Sequence, residues 1–279
     1  RAPAPRADPA AGADALEWSL SKVQRIESGD VSVSTTDLRA ALALLDVRDP
    51  RRVDQLVEDA KASRRQRWWT RPEYRDHLTP AMLQLLQFES EATAIRVFQA
   101  TLIPGVLQTR SYSDWIQHFW SGDIPDADMK VRIEVRSRRG ESLFSGPDAP
   151  KYLLILDESV LYREIGGAEV FAEQLEYLLA TIRRGLVTVR FVSFSEGAKL
   201  VMLGSFTLLE LPEEEDVFLY REEGWSDSMY HSRASIQRCR DIFEQAWNAS
   251  FFSPDASARL LESRVLTLRT LLDRQRHSA

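Results

Sequence analysis

The alternation of hydrophobic and polar positions divides the chain into a helical N-terminal part and a C-terminal part that mixes strands and helices. Apolar residues recur at helical spacing over residues 37–46, 50–66, 80–92, 110–121, 126–144, 168–184, 233–249 and 254–275. Short apolar runs rich in β-forming residues predict strands at residues 95–98, 152–156, 187–194, 205–211 and 217–220. The expected fold class is α+β, with an all-α domain over residues 1–70 and a mixed α/β domain with long C-terminal helices over residues 71–279.

Residues 18–29, WSLSKVQRIESG, have the pattern of a short amphipathic helix with a polar outer face. Ser19 stands where an N-cap belongs, Val23 and Ile26 can face a core, and Gly29 fits the position after the helix. The outer face presents Leu20, Ser21, Lys22, Gln24 and Arg25. Together with Ser19 they are the candidate DNA-binding residues, because such side chains donate to phosphates or base edges in a major groove. An ordinary surface helix has the same pattern, so that alternative stays open.

Longer stretches of the sequence resemble a known family of regulators. Residues 19–29 and 31–42 resemble the third and fourth helices of helix-turn-helix transcriptional regulators of the xenobiotic-response-element (XRE) class. The segment FQATLIPGVLQTRSY at residues 98–112 resembles a landmark of the C-terminal domain in actinobacterial antitoxin-like regulators, which has no assigned function. Further matches lie at residues 156–163, 166–167, 174–179 and 204–210. The resemblance implies binding of double-stranded operator DNA, a homodimer, and a small protein partner encoded alongside.

The resemblance fails at the N-terminus, so the helix-turn-helix is expected to be degenerate. Residues 1–6, RAPAPR, stand where the family has its first helix, and two prolines in six residues cannot form that helix. A second helix is expected over residues 10–16, with Asp8 as N-cap and Pro9 at the first helical position. The DNA-binding unit is either incomplete in this sequence or decayed, and the residues alone leave both alternatives open.

Composition and charge restrict the cellular compartment and the binding partners that are expected. The single cysteine, Cys239, forbids an internal disulfide framework and fits a reducing cytoplasm. We expect no membrane span, since no run of 18 apolar residues occurs, and no secretion signal. A net charge of −6 argues against a protein that coats nucleic acid. Residues 1–75 carry 14 Lys and Arg against 12 Asp and Glu, whereas the remainder carries 22 Lys and Arg against 30 Asp and Glu. This distribution is expected for a DNA-binding N-terminal domain joined to an acidic C-terminal domain.

Catalytic patterns are sparse, and we expect no cofactor and no metal. The four histidines have no metal-like spacing, and neither a phosphate-binding glycine loop nor a nucleophile elbow occurs. Asp157 and Glu158 follow an apolar strand, where they form either an acid/base pair or a polar cap on the next turn. Cys239 is expected to be a packing residue. An enzyme is therefore not favoured.

Large aromatic side chains are the remaining candidates for a binding site. We expect Trp115, Phe119, Trp120 and Tyr162 to line a small-molecule pocket between the helices after residue 110 and the sheet that includes residues 152–156. Core packing or a subunit interface would use the same residues. Two functions follow: a transcriptional regulator with a ligand- or protein-sensing domain, or a repurposed scaffold that has lost DNA binding and binds or transforms a small molecule, as a cyclase-like natural-product enzyme would.

Overall fold

The computed structural model describes residues 18–27, 33–63, 67–119, 125–145, 149–213, 216–223, 226–248 and 253–278, together with Ala13 and Leu16. The chain divides into two compact units, Arg1–Pro72 and Glu73–Ala279. Most of the helix expected over residues 10–16, the segment 1–6 and Gly29 lie outside the described residues.

The described part of the first unit is helical. It contains α1 (Leu20–Glu27), α2 (Thr35–Leu44), α3 (Pro50–Ser63) and a 3₁₀ turn at Trp68–Thr70. Ser19 caps α1, because its hydroxyl accepts a hydrogen bond from the Lys22 backbone N–H at 3.2 Å. Ser34 caps α2 by accepting from the N–H of Asp37 at 3.0 Å, so α2 begins two residues before the expected start and Asp37 lies in its first turn.

The second unit contains eight helices and six strands among its described residues. The helices are α4 (Pro72–Arg75, which begins at the boundary), α5 (Pro80–Glu89), α6 (Arg110–His118), α7 (Asp126–Leu143), α8 (Gly167–Arg183), α9 (Ala198–Leu203), α10 (Arg233–Asn248) and α11 (Pro254–Ser278). The strands are β1 (Ala94–Gln99), β2 (Lys151–Asp157), β3 (Thr188–Val192), β4 (Phe206–Glu210), β5 (Val217–Glu223) and β6 (Ser226–Tyr230), with 3₁₀ segments at Gly105–Leu107 and Glu158–Tyr162. The expected α+β class with long C-terminal helices is confirmed.

The six strands form one mixed sheet in the order β3-β2-β1-β4-β5-β6. β1, β2 and β3 are parallel, and α8 connects β2 to β3 as the predicted crossover. β4, β5 and β6 are antiparallel, with β4 paired to β1. In this register Val97 lies opposite Leu154 on one side and Thr207 on the other.

Helices cover both faces of the sheet, so the unit has three layers. On one face, Ile95, Leu154 and Val189 belong to a core completed by α5, α6, α8 and α11, in which Phe171 and Leu175 are fully buried. On the other face, Phe98 and Ile155 pack with α9 and α10, including Phe243 and Cys239. Cys239 is therefore a buried packing residue, as expected. No described helix combines the length and the apolar character needed to cross a membrane.

The landmark segment after β1 is held by a buried glutamine. The side-chain amide of Gln174, on α8, donates to the carbonyl oxygen of Leu107 at 2.8 Å, and its oxygen accepts from the N–H of Thr109 at 2.7 Å. Thr109 in turn caps α6 by accepting from the Tyr112 N–H at 3.3 Å. At the edge of the sheet, the buried Ser257 of α11 accepts a hydrogen bond from the backbone N–H of Phe191 in β3 at 3.1 Å.

Gly140 allows α7 to approach the same segment closely. A Cβ atom at this position would lie 2.7 Å from the carbonyl oxygen of Val106, closer than Cβ atoms are found to a backbone oxygen. The distance of α7 from the segment therefore depends on the absence of a side chain at residue 140.

We predict that Gly140→Ala destabilises the protein by about 1–3 kcal/mol, the usual cost of overpacking. Alanine would gain only about 0.5–1 kcal/mol in helix propensity, so the steric term should dominate. Urea unfolding measures the change. Ser137→Ala, at an exposed position of the same helix, is the control and should change the free energy of unfolding by less than about 0.5 kcal/mol. A Gly140→Ala protein as stable as the parent would contradict the close contact.

Candidate functional site

A cavity of about 290 Å³ lies between one face of the sheet and the helices that cover it. Its floor comes from β1, β4 and β5, and its walls come from α5, α6, α7 and residues 101–108 of the landmark segment. Ser205, Phe206 and Thr207, within another segment of the resemblance, line it as well. Two stretches that are distant in sequence, and that both carry the resemblance described above, thus meet around one cavity.

Three arginines of α7 line this cavity: Arg132, Arg136 and Arg139. They are spaced by four and three residues, so one face of the helix carries all three. These arginines were not among the residues predicted to form a site, although their spacing within the helix predicted over residues 126–144 is visible in the sequence. The cavity lining also includes two carboxylates, Glu89 and Glu222.

Arg139 is neutralised by Glu89 of α5. Its Nε and Nη2 donate to the two carboxylate oxygens at 2.9 and 2.6 Å, which is the bidentate geometry that arginine and carboxylate favour. The two side chains are only 13% and 6% exposed. Burial by itself would lower the pKa of Arg139, but the charge of Glu89 and its hydrogen bonds outweigh burial and raise that pKa. Burial raises the pKa of the neighbouring Tyr152 phenol, which stays neutral.

Arg136 lies less than one turn from Arg139 and has no such partner. Among the described residues, no carboxylate lies within ion-pair distance of its guanidinium, and burial lowers its pKa, while the charge of Glu222 acts in the opposite direction. Its side chain packs on Gly105, where an added Cβ would lie 3.2 Å from Nε. The neutral amide of Gln117, in the orientation that satisfies both groups, accepts from Arg136 Nη1 and, at 3.2 Å, from Nη2.

The landmark segment adds a second incompletely satisfied group. Gln108 lines the cavity and donates through Nε2 to the carbonyl oxygen of Ile103 at 2.7 Å. Its buried Oε1 has no hydrogen-bond partner in the described part of the chain. A buried acceptor without a donor is uncommon in folded proteins and is normally satisfied by water, an ion or a ligand.

A smaller cavity of about 60 Å³ adjoins the first and shares Met82, Glu222 and the three arginines with it. Beside it, Asp227 of β6 accepts hydrogen bonds from the Thr79 hydroxyl at 2.6 Å and the Tyr220 hydroxyl at 3.1 Å. These bonds join the start of α5 to the β5–β6 hairpin. Burial, with the charges of Glu222 and Asp227, raises the pKa of Tyr220, so this phenol remains a donor.

Three of the four predicted aromatic residues, Trp115, Phe119 and Tyr162, are not among the described residues that line this cavity, although it lies between the helices after residue 110 and the sheet. Trp115 is 45% exposed and contacts Gly166, and Phe119 is 68% exposed. The phase of α6 explains this, because Tyr112 and Ile116 point inward, and Trp115 and Phe119 share the outer face. Tyr162 is 53% exposed and packs against Phe194. Trp120 lies outside the described residues.

The other candidate chemistry has a structural role in this fold. Asp157 caps the 3₁₀ segment after β2, since its carboxylate accepts from the Ser159 N–H at 2.9 Å. Glu158 accepts from the N–H of Phe194 at 3.4 Å. The polar-cap interpretation of these two residues therefore holds. Within the described ranges, no group of three or more His, Cys, Asp or Glu side chains could hold a metal ion.

The candidate DNA-binding residues lie on α1 and its cap. Leu20, Ser21 and Gln24 are exposed, as expected for an outer face. The Lys22 ammonium lies 4.1 Å from the centre of the Trp18 ring and 3.1 Å from the Asp37 carboxylate. The hydrogen bond from Lys22 lowers the pKa of Asp37. The helix includes the backbone of Arg25, whose side chain lies outside the described ones.

The second unit is thus a three-layer α/β domain with a charged cavity between its sheet and one helical layer. The chain belongs to the family of the domain of unknown function DUF5753, whose model matches residues 82–263. This range begins in α5, ends in α11 and contains every residue that lines the larger cavity. No curated protein and no solved structure matches the chain.

We predict that Glu89→Gln destabilises the protein by about 3–5 kcal/mol, because it leaves the buried Arg139 charge without its partner. The double variant Glu89→Met/Arg139→Met removes both charges and should recover most of this loss, as apolar replacements of buried pairs do. Urea unfolding of the two variants provides the comparison. If the double variant is as unstable as Glu89→Gln, the loss does not come from the unpaired charge.

Proposed function

We propose that the protein is a transcriptional regulator of the XRE type whose DUF5753 domain binds a small-molecule effector. The observation that carries the proposal is the cavity of about 290 Å³, in which the half-buried Arg136 has no acidic partner within ion-pair distance among the described residues. Its volume is close to the lower end of the range of about 300–1,000 Å³ typical of ligand pockets. Buried charge without a partner is costly to folding and is typical of sites that serve a ligand.

The proposal assigns DNA reading to α1. Ser21, Gln24 and Arg25 would contact base edges, and Lys22 would contact a phosphate. Ser19 serves as the helix cap, and the exposed Leu20 can contact apolar parts of the groove. Trp18 and Asp37 hold the Lys22 ammonium in a defined position, and a phosphate would compete with the Asp37 carboxylate for it.

Regulation requires the effector to bind the DNA-competent and DNA-incompetent states with different affinities. By linkage, operator DNA would then change the affinity for the effector by the same factor. A single reader of this size covers one half-site, so we propose that two copies pair as a homodimer. The cytoplasm is the compartment in which such a regulator would work, and a small protein encoded alongside is a further proposed partner.

We predict that Arg25→Ala weakens operator binding by roughly 1–3 kcal/mol and relaxes selectivity at one base pair. Lys22→Ala should weaken binding to all sequences alike and reduce the slope of log affinity against log salt by about one. Gel-shift titrations of the full chain on the promoter of its own operon measure both effects.

The matched control for these variants is Arg39→Ala, which removes an exposed charge from α2, where Arg39 pairs with Asp54. It should leave operator selectivity unchanged. The absence of any salt-sensitive, sequence-specific complex would contradict the regulator. If such a protein still bound small molecules, the repurposed scaffold would be the better description.

We predict that the full chain is a dimer in solution, since a two-fold operator requires two readers in a closed arrangement. Light scattering should give twice the mass of one chain. A mass equal to one chain at tens of micromolar, together with intact operator binding, would show that pairing needs DNA rather than a preformed interface.

A further inference from the structure

The cavity indicates a chemical class of effector, an inference that rests on the proposed function. We propose that it binds a small organic anion, a carboxylate or a phosphate, whose charged group is held by the guanidinium of Arg136. Arginine suits this role because its planar fork matches both oxyanions in a bidentate manner.

The charges that line the cavity favour an anion. The lining contains three arginines and two glutamates, an excess of one positive charge. Arg139 and Glu89 neutralise each other through two short hydrogen bonds. Arg132, Arg136 and Glu222 remain, and no ion pair joins them in the described part of the structure. Partial burial of a guanidinium without an ion-pair partner is unfavourable, and a bound oxyanion would offset that cost.

Arg136 and Arg139 form a matched pair within one molecule. Both belong to α7 and line the same cavity, but only Arg139 has a carboxylate positioned for it. A purely structural arginine at residue 136 would need a similar partner. Its contacts are instead with the neutral amide of Gln117 and with Gly105, and these position the guanidinium without neutralising it.

The size and the walls of the cavity favour an organic molecule over a simple ion. A volume of about 290 Å³ is far larger than the roughly 10–15 Å³ of such space that a single water molecule needs. The apolar side chains of Met82, Leu85 and Val97 line it beside the polar Gln99 and Gln108. Gln108 contributes the buried oxygen that lacks a donor, which an N–H or O–H group of the ligand would provide after a small rotation of the amide.

The first test needs no ligand. Because the Arg136 charge has no acidic partner, Arg136→Met should leave the urea midpoint of unfolding unchanged or raise it. Arg139→Met is the matched control and should lower that midpoint, because it leaves Glu89 buried and unpaired. An Arg136→Met protein that loses as much stability as Arg139→Met would overturn the proposal, because Arg136 would then be structural.

The second test measures binding to the full chain in the absence of DNA, with acetate, citrate and inorganic phosphate as probes at constant ionic strength. At least one probe should raise the melting temperature and give a saturable calorimetric titration. Arg136→Met should weaken that binding about tenfold or more, as expected for the loss of a charge-assisted hydrogen bond. Binding of acetate or citrate alone identifies a carboxylate site, and binding of phosphate alone identifies a phosphate site.

Two results would overturn the anion site: no response of the parent protein to any probe at tens of millimolar, or a response that Arg136→Met retains in full. The latter result would reflect the general stabilising effect of excluded anions. Because these titrations contain no DNA, their failure is distinct from a failure of operator binding. A protein that binds citrate but no operator would keep the anion site and lose the regulator.

Discussion

The bidentate pair between Arg139 and Glu89 is the interaction on which the architecture of the cavity depends. It joins α7 to α5 across the polar space that both helices border, and nearly all of both side chains is withdrawn from water. Neither charge could be buried there alone, so the two helices can take these positions only together. Arg136 lies on the same helix as Arg139. Because the pair fixes the rotation of α7 about its axis, it also directs Arg136 toward the cavity.

A second set of constraints comes from the backbone around the landmark segment. Gln174 holds this segment through one donated and one accepted hydrogen bond, and Gly140 lets α7 approach it to backbone contact. The glycine and the glutamine of the sequence PGVLQT have distinct roles. Gly105 leaves space for the Arg136 side chain, and Gln108 lines the cavity. The motif in this stretch therefore has a physical meaning, which is the construction of one cavity.

Much of the fold was predictable from local pattern. The predicted strands and helices of the second unit are present within about three residues of their expected ends, because their apolar periodicity matches the faces they bury. Three elements were missed. β6 has the polar sequence SDSMY and forms through its pairing with β5. α4 and α9 are helices of four and six residues, which are too short for a helical period to be visible in the sequence.

The candidate site was predictable only in its location. The topology places helices after residue 110 over the sheet, and a cavity does lie there. Which residues line it depends on the rotation of α6, and a helix with Trp115 and Phe119 on one side and Tyr112 and Ile116 on the other allows two rotations. Trp115 and Phe119 lie on the exposed side of α6 rather than in this cavity, and a pocket lined by the four aromatic residues stays a prediction. The choice is made by the tertiary partners, above all by Phe171 of α8, whose ring lies 6.4 Å from that of Tyr112.

The hydrogen bond from the Phe191 N–H to Ser257 limits how the sheets of two molecules could join at their edge strands. An uncovered edge strand offers its amides to any other extended chain, which is a common route to aggregation. At the β3 edge one such amide is already bonded to a side chain of α11, which packs against the strand. This bond makes the β3 edge less able to accept another strand, so a continuous sheet through two molecules would form more readily through β6. The polar composition of β6 makes that edge a poor template, and the two edges together favour a sheet that ends within one chain.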